Sequence, residues 1–233
     1  MNTPANDKIN YNKVLSSVAY DMRNSLTLMF QTLQNIASQL ENNQQLTSEE
    51  IVDMNYQVQR LNGGLTQLMS LHSADDDKLA INVTTELVKD MLESVICQND
   101  LFSSAKGISI ELIAPDDLTW CFDQDLLSFL IDDVLSNAIR YSRQKIIIKV
   151  DIVDGMLTIE ILDDSPGYPK AMLDAAAEST DITQLTSSFG RMGIGLLFSK
   201  LIVFAHKNQT LHGQIELSND SQLGGSSFII KLP

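Results

Sequence analysis

The chain is 233 residues long, with 44% hydrophobic and 20% charged side chains. At about 150 residues per domain this is one ordinary domain plus an extension, apolar enough to bury a core rather than remain disordered. Lys+Arg number 16 against 30 Asp+Glu, a formal charge of -14, and both residues 1–78 and residues 79–233 are acidic, so no nucleic-acid partner is expected.

The start, MNTPANDKINYNK, has no apolar run and does not read as a signal peptide. No stretch approaches 18 continuous apolar residues, so no direct membrane insertion is expected, and the chain reads as cytoplasmic, either by itself or as the cytoplasmic part of something larger. Residues 12–41 then carry two seven-residue series side by side. Leu15, Met22, Met29 and Ile36 form one; Ala19, Leu26, Leu33 and Leu40 form the other. With no Gly or Pro among them, these residues predict one long helix whose apolar stripe needs a partner.

A polar loop, ENNQQL, precedes Thr47 and Glu50, which have capping-box spacing. A second helix follows, with Ile51, Val58 and Leu65 in one series and Met54, Leu61 and Leu68 in another. Gly63 and Gly64 weaken its middle by about 1 kcal/mol each, so packing must compensate there. Two helices bury little core, so the hairpin is expected to form a dimeric four-helix bundle. The alternative is a hairpin packed on its own C-terminal domain. Met22, Met29, Met54 and Met69 read as bundle packing. Residues 73–78, with three consecutive aspartates, read as the boundary between a helical hairpin (10–73) and a second domain (80–233).

From residue 80 the periodicity changes repeatedly. Helices are predicted at 84–99, 123–140, 170–178 and 193–206. Strands are predicted at 108–113, 119–122, 145–152, 156–162, 212–217 and 226–232, with Asp154-Gly155 as a hairpin turn. The fold class is α+β: one antiparallel or mixed sheet covered on one face by helices. Trp120 and Phe122 read as sheet core, the pair Asp132-Asp133 as a solvated face. Cys97 and Cys121 have neither metal-ligand nor disulfide-framework spacing and read as buried free thiols.

Three polar interruptions point to a nucleotide site. Asn137 lies inside an apolar helix. Asp163-Asp164-Ser165-Pro166-Gly167 follows a strand directly. Gly193-Ile194-Gly195 opens a helix after a polar segment, and such a helix start offers free N–H groups to phosphate.

In order and spacing these segments resemble the cytoplasmic core of a bacterial sensor histidine kinase: a dimerisation-and-phosphotransfer hairpin followed by a Bergerat-fold (GHKL-type) ATPase, an α/β sandwich. DDVLSNAIRYS resembles the N box. The resemblance implies that Asn137 ligates Mg²⁺, with Arg140 and Tyr141 near the phosphates and nucleotide; Asp133 stands where the family often has a second Asn, and its carboxylate could still face the ion. ILDDSPGYP resembles the DxGxG box, which makes Asp163 the acceptor for an adenine amino group and Gly167 the second glycine. Ser165 replaces the first glycine and Tyr168 the usual aliphatic residue. GRMGIGLLFSKLIVFAH resembles the second glycine box through Gly193 and Gly195, with Arg191 at the outermost glycine unless Gly190 replaces it. Residues 169–190 would be a lid whose only cation before Arg191 is Lys170, too little to grip a γ-phosphate firmly. The implied cofactor is ATP or ADP with Mg²⁺, bound weakly if at all.

AYDMRNSLTLM resembles the H box at Asp21, Arg23, Asn24 and Leu26, but Tyr20 stands where the phosphoaccepting histidine belongs. The three histidines, His72, His206 and His212, lie elsewhere. A phenol with a pKa of about 10 is a poor replacement for an imidazole nucleophile. The expectation is therefore an ATP-binding, histidine-kinase-like regulatory protein that does not autophosphorylate on histidine. It would form a homodimer through residues 12–70 and act on a response regulator or another histidine kinase. Two alternatives stay open: a response-regulator phosphatase using Asp21 and Asn24 or a slow ATPase, and a nucleotide-free dimeric adaptor.

Overall fold

The computed structural model describes residues 11–42, 81–177 and 191–233, together with Glu50, Met54, 56–58, Leu61, 63–65 and Leu79. The capping Thr47, His72, the acidic boundary at 73–78, Gly190 and residues 178–190 of the expected lid lie outside the described residues.

Helix α1 (Tyr11–Glu41) runs unbroken for 31 residues, as the absence of Gly and Pro allows. All the described residues between 50 and 65 are helical. The two seven-residue series of α1 separate in space rather than sharing a face. Met22, Met29 and Ile36 are half-buried, together with the buried Val18 and Ser25, while Ala19, Leu26, Phe30 and Leu33 are exposed. Gln39 Nε2 donates to Glu50 Oε1 at 2.6 Å, joining the two helical stretches.

The remainder runs β1 (Thr84–Leu87), α2 (Val88–Gln98), α3 (Asp100–Lys106), β2 (Ser109–Ile113), β3 (Thr119–Phe122), α4 (Gln124–Tyr141), β4 (Lys145–Val153), β5 (Met156–Asp163), α5 (Lys170–Ala177), α6 (Arg191–Ala205), β6 (Lys207–Asn208), β7 (Leu211–His212), β8 (Gln214–Ser218) and β9 (Ser227–Leu232). The main sheet has five strands in the order β2-β4-β5-β9-β8. It is mixed, because β2 pairs parallel to β4 while the other neighbours are antiparallel. Asp154 and Gly155 take φ of 52° and 77°, the positive values that a tight hairpin turn with native twist needs.

Strand alternation sets the core. Leu157, Ile159 and Ile161 of β5 are buried while Thr158 and Glu160 between them are half-buried. Against this face pack Leu127, Leu130, Ile131, Leu135 and Ile139 of α4, with Val88, Met91, Leu92 and Val95 of α2 and Leu197, Ile202 and Val203 of α6. Val18 of α1 joins the same cluster, with Met22 and Tyr56 packed on its margin. Part of the hairpin thus packs on its own C-terminal region.

Several expectations change. Residues 84–99 are not one helix: Thr84–Leu87 pairs antiparallel with β3, as the β-branched threonines favour, and the helix starts at Val88. The 212–217 strand divides into β7 and β8 around the buried Gly213, and β6 precedes it. Phe122 is fully buried, but Trp120 is only half-buried on the two-stranded β1–β3 ribbon, its indole N–H donating to the Pro233 carbonyl at 3.2 Å. Cys97 and Cys121 are both exposed, one on the outer side of α2 and the other on that ribbon.

Candidate functional site

Helix α4 is pinned at both ends. At its start the Asp123 carboxylate accepts from Leu126 N–H at 3.0 Å and from Asn82 N–H at 2.7 Å. Asp123 N–H donates to His206 Nε2 at 2.9 Å, and His206 Nδ1 lies 2.8 Å from the Ile202 carbonyl, so the start of α4 is tied to the end of α6. Burial pushes the His206 pKa down. The neutral tautomer with Nδ1 protonated satisfies both contacts. Beyond the other end, the Asp164 carboxylate accepts the N–H groups of Arg143, Gln144 and Lys145, at 2.7, 2.9 and 3.3 Å.

Between α4, the end of β5, α6 and the hairpin lies a cavity of about 590 Å³. Its wall brings together Asp133, Asn137, Arg140, Tyr141, Asp163, Gly167 and Gly195. These are seven of the eight residues that the sequence singled out for nucleotide or Mg²⁺. The eighth, Gly193, lies in α6, which starts at Arg191, so the glycines fall inside the first turns rather than at the helix start.

Asp163 is 5% exposed and is the best-held polar group of the cavity. Its Oδ1 accepts from Ser165 N–H and Ser226 N–H, each at 2.9 Å, and its Oδ2 from the Ser226 hydroxyl at 2.5 Å. A carboxylate offers about four acceptor positions, so one direction remains for a ligand donor. Gly225 is indispensable beside it: an added Cβ would come within 2.5 Å of the Asp163 carbonyl oxygen and 2.6 Å of Oδ1. Ser165 fits where the resemblance expects glycine, since its φ is not positive and its Oγ accepts Gly167 N–H at 3.1 Å. Gly167 itself has φ +89°, with the Asn219 carboxamide 2.8 Å from where a Cβ would lie.

On the opposite wall, Asn137 donates Nδ2–H to the Asp133 carbonyl at 2.8 Å, which fixes the carboxamide and leaves Oδ1 as its acceptor. The Asp133 Oδ2 stands 3.2 Å from a Cβ built on Gly195, so only glycine lets α6 approach so closely without displacing it. Asp132 and Asp133 are half-buried on the cavity wall, not a solvated face. Asp132 accepts from Asn99 Nδ2 at 2.6 Å, and burial raises its pKa. Among the described residues no group of three or more His, Cys, Asp or Glu could hold a metal ion. A hard cation here would have Asn137 Oδ1 and Asp133 as protein ligands and would need ligand phosphate oxygens, a donor set that suits Mg²⁺.

The hairpin supplies a wall that sequence reasoning did not anticipate. Val18, Met22, Tyr56, Gly63 and Gly64 all line the cavity. Arg140 donates from Nη1 to the Tyr56 hydroxyl at 2.9 Å with its guanidinium 5.1 Å from that ring's centre, so it is engaged by the hairpin. Tyr20, by contrast, is 56% exposed under the Arg23 guanidinium at 4.9 Å and does not line the cavity. Asn24 is half-buried in α1, which also contains Asp21. Ser226 and Asn219 were missed as well; the nearby Gly224-Gly225 pair marked only a loop.

A five-stranded mixed sheet covered by helices thus frames a cavity that joins a strand-end Asp to a helix Asn. Residues 122–233 match the family described as histidine kinase-, DNA gyrase B-, and HSP90-like ATPase. Over 95% of the chain it is 25% identical to the adaptive-response sensory kinase SasA of Gloeothece citriformis, and over 94% it is 21% identical to the sensor protein SrrB of Staphylococcus aureus. The chain spans 57% and 37% of the lengths of those relatives. Among solved structures, the Acinetobacter baumannii histidine kinase AdeS aligns over 91% of this chain and 96% of its own, with a TM-score of 0.60 at 22% identity. The catalytic domain of histidine kinase ThkA aligns over 66% of this chain and 97% of its own, with a TM-score of 0.54 at 17% identity. The fold is that of a histidine kinase core. No helix among the described residues is long and apolar enough to cross a membrane.

Proposed function

We propose that this chain is a nucleotide-binding, histidine-kinase-like regulator of two-component signalling that does not autophosphorylate on histidine. The supporting observation is the combination in one fold of a cavity joining Asp163, Asn137, Asp133 and Gly195 with a tyrosine at the position of the phosphoacceptor. Asp163 would receive the adenine amino group. Asn137 and Asp133 would hold Mg²⁺, which supplies charge neutralisation at the phosphates when bound. Residues 10–73 would be the hairpin domain and 80–233 the ATPase domain, in a cytoplasmic protein. The exposed stripe of Leu26, Phe30 and Leu33, with Val58 and Leu65 of the second helical stretch, supports a homodimer through residues 12–70. A response regulator or another histidine kinase would then dock on the bundle.

Incubation with γ-labelled ATP and Mg²⁺ tests the reading. No acid-labile phosphoprotein is expected, and its appearance overturns the claim. Calorimetric titration of Mg²⁺-ATP should give binding heat that Asn137→Ala and Asp163→Ala abolish while the fold, checked by circular dichroism, persists. Absence of heat from the unsubstituted protein would leave the dimeric adaptor instead.

A second reading, slow ATP hydrolysis, draws on Asp133. It places a carboxylate on the cavity wall one helical turn from Asn137, able to orient a water. Phosphate release that Asp133→Asn removes without loss of nucleotide binding would favour it.

A further inference from the structure

Arg140 is the single cation among the described residues that line the cavity, against the carboxylates of Asp132, Asp133 and Asp163. It stands in the last turn of α4, three residues after Asn137, and that spacing puts the two on one face of the helix. A long side chain exposed at a helix end samples many rotamers, and fixing it carries an entropic cost. Here the hairpin fixes it. Arg140 Nη1 donates to the Tyr56 hydroxyl at 2.9 Å, and the guanidinium lies 5.1 Å from the centre of the Tyr56 ring. Tyr56 lines the cavity and packs in turn on the buried Phe102 of α3, with ring centres 5.9 Å apart. Phe102, Tyr56 and Arg140 thus form a chain of contacts from the core to the cation of the cavity, and its middle member belongs to the hairpin. A guanidinium carries five N–H donors, more than one hydroxyl can use, so the bond to Tyr56 does not exhaust its capacity for phosphate oxygens.

We propose that Tyr56 is a positioning residue of this site: from the hairpin it sets the Arg140 guanidinium in place for the phosphates of a bound nucleotide. The proposal rests on the nucleotide-site reading above, in which phosphate oxygens lie at Asn137 and Asp133. Phosphates brought among three carboxylates need compensating positive charge. A guanidinium already held in place loses less freedom on binding than one that must be recruited. Adenosine has no phosphate, so its binding does not draw on Arg140. Affinity for the phosphate end therefore depends on the docked hairpin, and by linkage a bound nucleotide strengthens that docking.

The experiment measures dissociation constants of the full chain for Mg²⁺-ATP and for adenosine. Parent, Tyr56→Phe, Tyr56→Ala, Arg140→Gln and the Tyr56→Ala/Arg140→Gln double variant are compared, with circular dichroism to confirm folding. Tyr56→Ala should weaken Mg²⁺-ATP by about tenfold, and Tyr56→Phe, which keeps the ring, by about threefold, while adenosine changes by less than about twofold. With Arg140→Gln already present, adding Tyr56→Ala should change Mg²⁺-ATP by less than about twofold. Unchanged Mg²⁺-ATP affinity in Tyr56→Ala overturns the proposal, because Tyr56 then only packs. Tighter binding also overturns it, because Tyr56 then withholds the guanidinium from the ligand. So does an equal loss for adenosine, which marks a general collapse of the cavity wall, and so does a full tenfold loss in the Arg140→Gln background. If the parent binds neither ligand, the nucleotide-site reading itself fails; if the parent binds both and the Tyr56 variants match it, only the role of Tyr56 fails. Should Tyr56→Ala not fold, the threefold loss in Tyr56→Phe decides.

Discussion

Arg140 of α4 and Tyr56 of the hairpin are joined twice, by a 2.9 Å hydrogen bond and by a guanidinium lying 5.1 Å from the ring centre. Tyr56 also packs on Phe102 of α3, with ring centres 5.9 Å apart. Tyr56 thus links the hairpin to two elements, α3 and α4. Tyr56→Phe should lower stability by about 1 kcal/mol, the net value of one hydrogen bond. Tyr56→Ala should cost clearly more, since the cation–π and ring contacts go too. Thermal melts of both variants against the parent decide it, and indistinguishable melting of Tyr56→Ala would show that the docking contributes nothing.

Gly64→Ala should destabilise although it raises helix propensity. Propensity alone predicts a gain of about 1 kcal/mol. A Cβ at Gly64, however, would lie 2.6 Å from Met22 Cγ, and overpacking of that kind costs about 1–3 kcal/mol. Met22→Ala in the same chain should recover much of the loss. A stabilised Gly64→Ala in urea denaturation would mean that the two helices do not meet there.

Ser226→Ala should cost about 1–3 kcal/mol without any ligand present, because it removes the hydroxyl that occupies Asp163 Oδ2 in a buried setting. Asp163→Ala should cost at least as much, since the Ser165 and Ser226 N–H groups lose their acceptor. Denaturation midpoints measured in nucleotide-free buffer test this. Undiminished stability in both variants would mean that the carboxylate is held for a ligand and not by the fold.

Stability should fall as the pH drops below about 6.5 on account of His206. Burial lowers its pKa in the folded chain, so between that lowered value and 6.5 the unfolded chain binds more protons. The contribution of His206 is present in full above the unfolded pKa and is lost as pH falls through that window. Nearby Asp123 opposes the shift, but burial is the larger cause. Melting temperatures between pH 8 and pH 5 should show the decline, and His206→Gln should flatten it while lowering stability overall by about 1–3 kcal/mol through its imperfect pairing with Asp123 N–H and the Ile202 carbonyl.

Local signals account for what the sequence made legible. Strand alternation at 156–162, the Asp154-Gly155 turn and the unbroken α1 follow from periods and backbone preferences that neighbouring residues carry. Asp163, Asn137 and Gly195 were legible because a polar residue or glycine in an apolar run has no local purpose. The 84–87 strand was not legible, since its partner is the distant β3, and tertiary pairing overrode a helical pattern that continued through Leu87. Ser226, Asn219 and Tyr56 were illegible for the same reason: each acts on a residue 51 to 84 positions away. The glycine pair at 63–64 was read as a weakness needing compensation. Packing supplies it, because Gly64 lies against Met22 and Val18, and Gly63 against Phe129, which is itself 5.8 Å edge-on to Phe198.

The two adjacent aspartates at the end of β5 divide their work: Asp163 faces the cavity, and Asp164 clamps the turn that leaves α4. In mechanical terms this welds the jaw bearing Asn137 to the jaw bearing Asp163. That pair cannot spread without tearing three backbone hydrogen bonds from one carboxylate. Flexing that admits or releases a ligand is therefore left to the opposite side of the cavity, where the described contacts of the hairpin with α4 are made by side chains such as Tyr56 and Arg140.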